Sequence, residues 1–160
     1  MSTDKTKKEA LRKKSLGELG ELIGIKVLVD NKFEKIKNLN DIKMNYPFAD
    51  LIAEKDEKKY VISIKARNKY QKNGDLNSRY KLGNNVFKNA KYAEDEFGAE
   101  AYWMAIQFDE KTYTVYFGSL KELDNKKGIS IIQCQKESIG ECLVKDARHY
   151  FDFSYFSNRE

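Results

Sequence analysis

The spacing of apolar positions changes several times along the chain, and each change marks an element. Over residues 6–29, Leu16, Leu19, Ile23 and Val27 recur three or four apart, which lines one face of a helix. Gly17, Gly20 and Gly24 lie near that face. Glycine is a poor helix former, so three of them predict another element packed closely against the helix. Asp30, Asn31 and Lys32 end it. Residues 33–46 are polar, with a weak alternation at Phe33 and Ile36 that reads as a short strand, then a loop to Pro47. FADLIAE and KYVISIK follow, separated by a charged KDEK turn, and read as a hairpin. A second helix over 79–97 carries Leu82, Val86, Phe87, Ala90 and Ala93, and Gly98 closes it. AYWMAIQF (101–108) and TYTVYFGS (112–119) read as strands around a DEK turn, and ISIIQC (129–134) as another. The aromatic tail HYFDFSYFS fits an edge strand, a dimer contact or burial in the chain's own core. Helix, strands, helix, strands in this order specify an α/β or α+β domain.

The hairpin raises a chemical question. Pairing Glu54 with Lys59 puts Asp50 opposite Ser63, because facing positions in an antiparallel pair keep a constant sum. Alternation then sets Asp50, Ser63 and Lys65 on one face and Leu51, Ala53, Ile62 and Ile64 on the other. Ionisable groups on strands that bury both faces need compensation. Asp50 and Lys65 could form a partly buried ion pair. Alternatively, Asp50 is a hard oxygen ligand for a divalent cation, and Lys65 orients a water or stabilises charge developing on phosphorus.

Composition narrows the setting. The 160 residues contain no repeat and no Pro/Ser-rich linker, so the reading is a single domain over 1–160. No apolar run approaches the roughly 18 residues of a membrane span, and the basic start MSTDKTKKEALRKK has no apolar core of a secretory signal, so a cytoplasmic location is expected. Cys134, Cys142 and the lone His149 fit neither a disulfide framework nor a zinc site, and buried or partly buried thiols are expected. The net charge of +5 favours a polyanionic partner, and its distribution is more telling. KARNKYQKNGDLNSRYKLGNNVFKNAK contains one acid, Asp75, among many Lys and Arg with interleaved Tyr70 and Tyr80. Such a tract can follow a phosphate backbone, or it can be a solvated loop and helix face.

PFADLIAEKDEKKYVISIKAR resembles the signature of the PD-(D/E)XK nuclease superfamily, with an acid on one hairpin strand and an acid or substitute, any residue and Lys on the next. GELIGIKVLVDNKF resembles the family's preceding Glu-bearing helix. The resemblance covers about residues 15–117 and leaves 118–160 as a C-terminal extension without a matching motif. It implies the restriction-endonuclease-like αβββαβ core, a central mixed sheet flanked by helices. It implies Asp50 as the central metal ligand, the Ile64 carbonyl as a backbone ligand, and Lys65 as the group acting on the attacking water. Glu21 would complete the metal shell, with Glu18 as its rival. Glu18 points away from the apolar stripe and Glu21 lies nearer its edge. Arg67, Lys69, Lys72, Arg79, Lys81 and Lys88 would contact phosphates.

One position departs from the pattern. Ser63 stands where the family usually has Glu or Asp, which removes a full charge from the metal shell. Asp75 and Glu94 are candidate replacements, or Glu21 and Asp50 suffice. The expected activity is therefore a Mg²⁺-dependent nuclease, with Mn²⁺ able to substitute. It would cut phosphodiester bonds, of DNA rather than RNA, by in-line attack of metal-bound water, and a homodimer would match two strands. The alternatives are a catalytically degenerate nucleic-acid-binding or interaction module of the same fold, and an ordinary α/β domain in which Asp50 and Lys65 merely pair.

Overall fold

The computed structural model describes residues 3–42 and 46–148, with side chains from residue 14 onward. In chain order the elements are α1 (Thr3–Asp30), β1 (Glu34–Asn38), a 3-10 turn (Leu39–Asp41), β2 (Leu51–Lys55), β3 (Lys58–Asn68), β4 (Arg79–Lys81) and α2 (Val86–Phe97). There follow β5 (Glu100–Phe108), β6 (Thr112–Ser119), a second 3-10 turn (Leu120–Leu123), β7 (Gly128–Ser130), α3 (Ile131–Gln135) and β8 (Glu141–Arg148). Six strands form one mixed sheet in the order β1-β2-β3-β5-β6-β8, in which only β3 and β5 run parallel. β4 and β7 make a separate two-stranded ribbon.

Alternation along β3 and β5 divides the core in two. Ile62, Ile64, Ala66, Met104 and Ile106 face α1, where they meet Leu16, Ile23 and Val27. Val61, Trp103 and Ala105 face the opposite side, covered by α2, α3 and the β4–β7 ribbon through Val86, Ala90, Ile131, Tyr80 and Ile129. Two of the three glycines in α1 mark the close approach that the sequence anticipates. A Cβ on Gly20 would lie 2.7 Å from the Ala66 Cβ, and one on Gly24 would lie 2.7 Å from Cδ1 of Ile64. Gly17 faces open space and has no such role.

The β2–β3 hairpin turns through Asp56 and Glu57, with φ of 52° and 68°. Two successive positive φ values give a turn whose twist matches that of the paired strands. Its register pairs Glu54 with Lys59, as the charge pattern suggested.

Three expectations are corrected. The helix over 79–97 begins only at Val86, because Arg79–Lys81 pairs with Gly128–Ser130 and Gly83 has φ +103°, outside helical geometry. The strand over 129–134 stops at Ser130, whose hydroxyl accepts the Gln133 N–H and caps α3. β8 was not anticipated, since its pairing with β6 shifts register around Val115 and its apolar alternation is broken accordingly. The residues after 118 are thus integral, with β7 joining β4 and β8 extending the main sheet. Cys134 is buried as expected, whereas Cys142 is exposed on β8, an edge strand of the sheet. His149 and the aromatic tail lie outside the described residues. Among the described residues, no helix is long and apolar enough to cross a membrane.

Candidate active site

Beyond the end of the β2–β3 ladder lies a pocket of about 300 Å³. Asn40, Tyr46, Phe48, Asp50, Ser63, Lys65, Leu82, Val86 and Asn89 line it. The β2–β3 ladder runs from Lys55/Lys58 to Leu51/Ile62 and ends. Asp50 does not continue it in register opposite Ser63. Its N–H donates to the Ile62 carbonyl at 2.8 Å, and its Oδ2 accepts the Ile64 N–H at 2.7 Å. A carboxylate therefore takes the place of the next strand residue. N–H and C=O of one strand residue point to the same neighbour, so the Ile64 carbonyl is aimed past the end of β2, toward the same side as the carboxylate. Ser63 and Lys65 alternate with Ile64 and bond instead toward β5, opposite Trp103 and Ala105.

Burial dominates the electrostatics. Desolvation pushes the Asp50 carboxyl up to about 6, against the opposing pull of the Ile64 N–H and Lys65, and Glu21 pushes it the same way as burial. The Lys65 ammonium is shifted down, first by desolvation and also by Arg67, while Asp50 supports its charge. A carboxyl that resists ionisation beside an ammonium that releases its proton more readily differs from a surface ion pair and is typical of sites where chemistry occurs.

Glu21, and not Glu18, is near this centre. Glu18 is exposed, whereas Glu21 is half-buried and its Oε1 accepts Nδ2 of Asn40 at 2.8 Å. The two candidate replacement acids lie elsewhere. Glu94 accepts the Ala101 N–H at 2.9 Å. Ala101 is four residues along β5 from the partner of Lys65, or about 13 Å at 3.3 Å per residue. Asp75 sits in a small hairpin beyond β3, where its carbonyl accepts the Gln71 N–H at 2.8 Å. Among the described residues no group of three or more His, Cys, Asp or Glu could hold a metal ion. The available donors are all hard oxygens: Asp50, Glu21, the Ile64 carbonyl and the Ser63 hydroxyl. Such a set suits a divalent cation that keeps several of its waters.

The six basic residues are spread over β3, the small hairpin after it, β4 and α2. Arg67 is exposed at the end of β3, and its Nη1 donates to the Ala66 carbonyl at 2.8 Å. Lys69 and Lys72 belong to the hairpin, which the Tyr70–Leu76 bridge closes and in which Lys69 lies 5.6 Å from the centre of the Tyr70 ring. Arg79 and Lys81 flank buried Tyr80 and are both exposed, as is Lys88 on α2. Sequence reasoning missed Asn40 and Asn89. Asn40 has no signal beyond the N-L-N run at 38–40, and Asn89 was placed in the middle of a longer helix when it belongs to the first turns of α2.

A mixed sheet with α1 on one face and α2 on the other, and a carboxylate and lysine at the open end of its central hairpin, define the restriction-endonuclease-like class of fold. The chain superposes on Hjc, a Holliday junction resolvase of the archaeal hyperthermophile Archaeoglobus fulgidus, with a TM-score of 0.52. The two share 17% sequence identity, and the match covers 71% of this chain and 87% of Hjc. No protein-family profile and no curated protein sequence matches the chain.

Proposed function

We propose that this protein is a divalent-metal-dependent nuclease that hydrolyses DNA phosphodiester bonds. The observation that carries the reading is the pairing of Asp50, held at a pKa of about 6, with Lys65 in one pocket at the head of a basic tract. Asp50, Glu21, the Ile64 carbonyl and Ser63 would hold Mg²⁺ or Mn²⁺. When bound, such an ion neutralises a scissile phosphate and acidifies water. Lys65 would orient the attacking water and exchange a proton with it. The first turn of α2, which contains no acid and reaches the pocket through Val86 and Asn89, would favour a phosphate by its dipole. Arg67, Lys69, Lys72, Arg79, Lys81 and Lys88 would hold the flanking backbone, and paired cuts on two strands would use two copies of the chain.

The resemblance to a junction resolvase makes a four-way DNA junction the first substrate to test, beside linear duplex, supercoiled plasmid and single strands of DNA and RNA. Cutting that requires metal and disappears in Lys65→Ala supports the proposal. Ser63 favours a second reading, a binding module that has lost its chemistry. Equal, salt-dependent DNA binding by wild type and Lys65→Ala, with no cutting and no metal affinity, would establish that reading instead.

Two further outcomes are expected. Ser63 is 2% exposed, so Ser63→Asp adds a buried carboxylate to the pocket beside Asp50. Its metal-free melting temperature should fall, while the rise on adding Mn²⁺ should exceed that of wild type; thermal melts with and without metal check both. Arg79→Ala should weaken DNA binding and reduce the slope of log affinity against log salt by about 1, read from titrations at several salt concentrations.

A further inference from the structure

We infer that Asn40 is a positioning residue that fixes the separation of the Glu21 and Asp50 carboxylates, an inference that rests on the proposed metal site. The 3-10 turn at Leu39–Asp41 is tied to both. On one side, the Leu39 N–H donates to the Asp50 carbonyl at 2.9 Å, and the Leu39 side chain is fully buried, so the turn is locked to the residue that carries the central carboxylate. On the other side, Nδ2 of Asn40 donates to Oε1 of Glu21 at 2.8 Å. Asn38 sets the turn itself, its Oδ1 accepting the Asn40 N–H at 2.9 Å. Three residues thus bracket two acids from different parts of the chain, one on α1 and one just before β2.

The chemistry of the bracket matters. Glu21 is a long side chain on a half-exposed helix position and has several rotamers open to it. A lysine or arginine in place of Asn40 would restrain it equally well but would also neutralise it. A neutral amide holds one oxygen by a hydrogen bond and leaves the full negative charge for a cation. Ser63 increases the demand, since with the usual third carboxylate missing, two acids must supply the charge. Asn40 also lines the pocket, so it acts at the site itself.

A double-mutant cycle on Mn²⁺ affinity, measured by calorimetry on the full chain, tests this without any activity assay. Wild type, Asn40→Ala, Glu21→Gln and the double variant are compared, with Asp50→Ala as a control. Asn40→Ala should weaken Mn²⁺ binding about tenfold, the usual scale for an outer residue that orients a ligand. In the Glu21→Gln background the same change should have no effect. Asn40 is exposed, so the metal-free melting temperature of Asn40→Ala should match wild type. Unchanged affinity in Asn40→Ala overturns the inference, as do losses that multiply in the double variant or a lowered metal-free melting temperature. If wild type binds Mn²⁺ and Asp50→Ala does not, the metal site stands whatever Asn40 does. If wild type binds no Mn²⁺, both fall together.

Discussion

Asp50→Asn is expected to be inactive and more stable than wild type at neutral pH. The folded Asp50 carboxyl has its pKa near 6 against an ordinary 3.8, so between those values the folded protein binds more protons than the unfolded chain. Stability therefore falls as pH rises through that window, and above it the ionised carboxylate carries the whole penalty, on the order of 2 to 3 kcal/mol. An asparagine removes the charge and keeps an oxygen for the Ile64 N–H. In metal-free thermal melts the variant should melt higher than wild type at pH 7, and the difference should shrink as pH falls through the window and vanish only toward pH 3, below both values, where the carboxyl is protonated folded and unfolded. Mn²⁺ should raise the melting temperature of wild type and leave the variant unmoved. Cleavage should drop at least about a thousandfold, the scale of losing a principal electrostatic group at a reacting phosphate. A variant that is less stable at pH 7 would mean that the carboxylate is a structural partner of Lys65, and the catalytic reading would lose its main support.

The second large effect is steric and acts at a distance. Gly20→Val should destabilise the fold by about 3 kcal/mol and reduce cleavage further than its remaining folded fraction explains. A Cβ at this position would stand 2.7 Å from the Ala66 Cβ. Ala66 cannot yield, because it is a methyl group on β3, in ladder register with Ile106 of β5. α1 has to move, and overpacking of this kind costs about 1–3 kcal/mol before the bulk of valine is added. Glu21 is the next residue, so displacement of the helix displaces the carboxylate. Gly17→Ala is the contrasting control. Nothing lies near its Cβ, and alanine should stabilise the helix by about 0.5–1 kcal/mol. Denaturant unfolding of the three proteins, with cleavage measured on the folded fraction, distinguishes helix displacement from a general intolerance of side chains in α1.

The parts of this structure that could be read from the sequence are those governed by local physics. The stripe from Leu16 to Val27, the KDEK turn with its Glu54/Lys59 register, and the strands at 101–108 and 112–119 each announce themselves by periodicity or turn chemistry, and each forms. The misreadings cluster where a distant partner decides. Arg79–Lys81 looks helical until Gly128–Ser130 arrives to pair with it, and β8 depends on a bulged ladder with β6. At the site, alternation brought Asp50, Ser63 and Lys65 to one place, and helical geometry preferred Glu21 over Glu18. Alternation could not reveal that Asp50 leaves the ladder and caps Ile64, because that is the behaviour of a strand end. Asn40 was illegible for a related reason: its partner lies 19 positions away in another element.

Where β2 stops has a consequence for the history such a protein can have. The paired register of β2 with β3 begins at Leu51, and Asp50 and Lys65 gather just past that limit. Substitutions at Asp50, Glu21 or Asn40 break side-chain bonds but no paired backbone register, so lineages can lose, repair or redirect the chemistry while the scaffold goes on folding. The end of a strand is cheap ground for evolutionary experiment, and a scaffold arranged this way can outlast several successive uses.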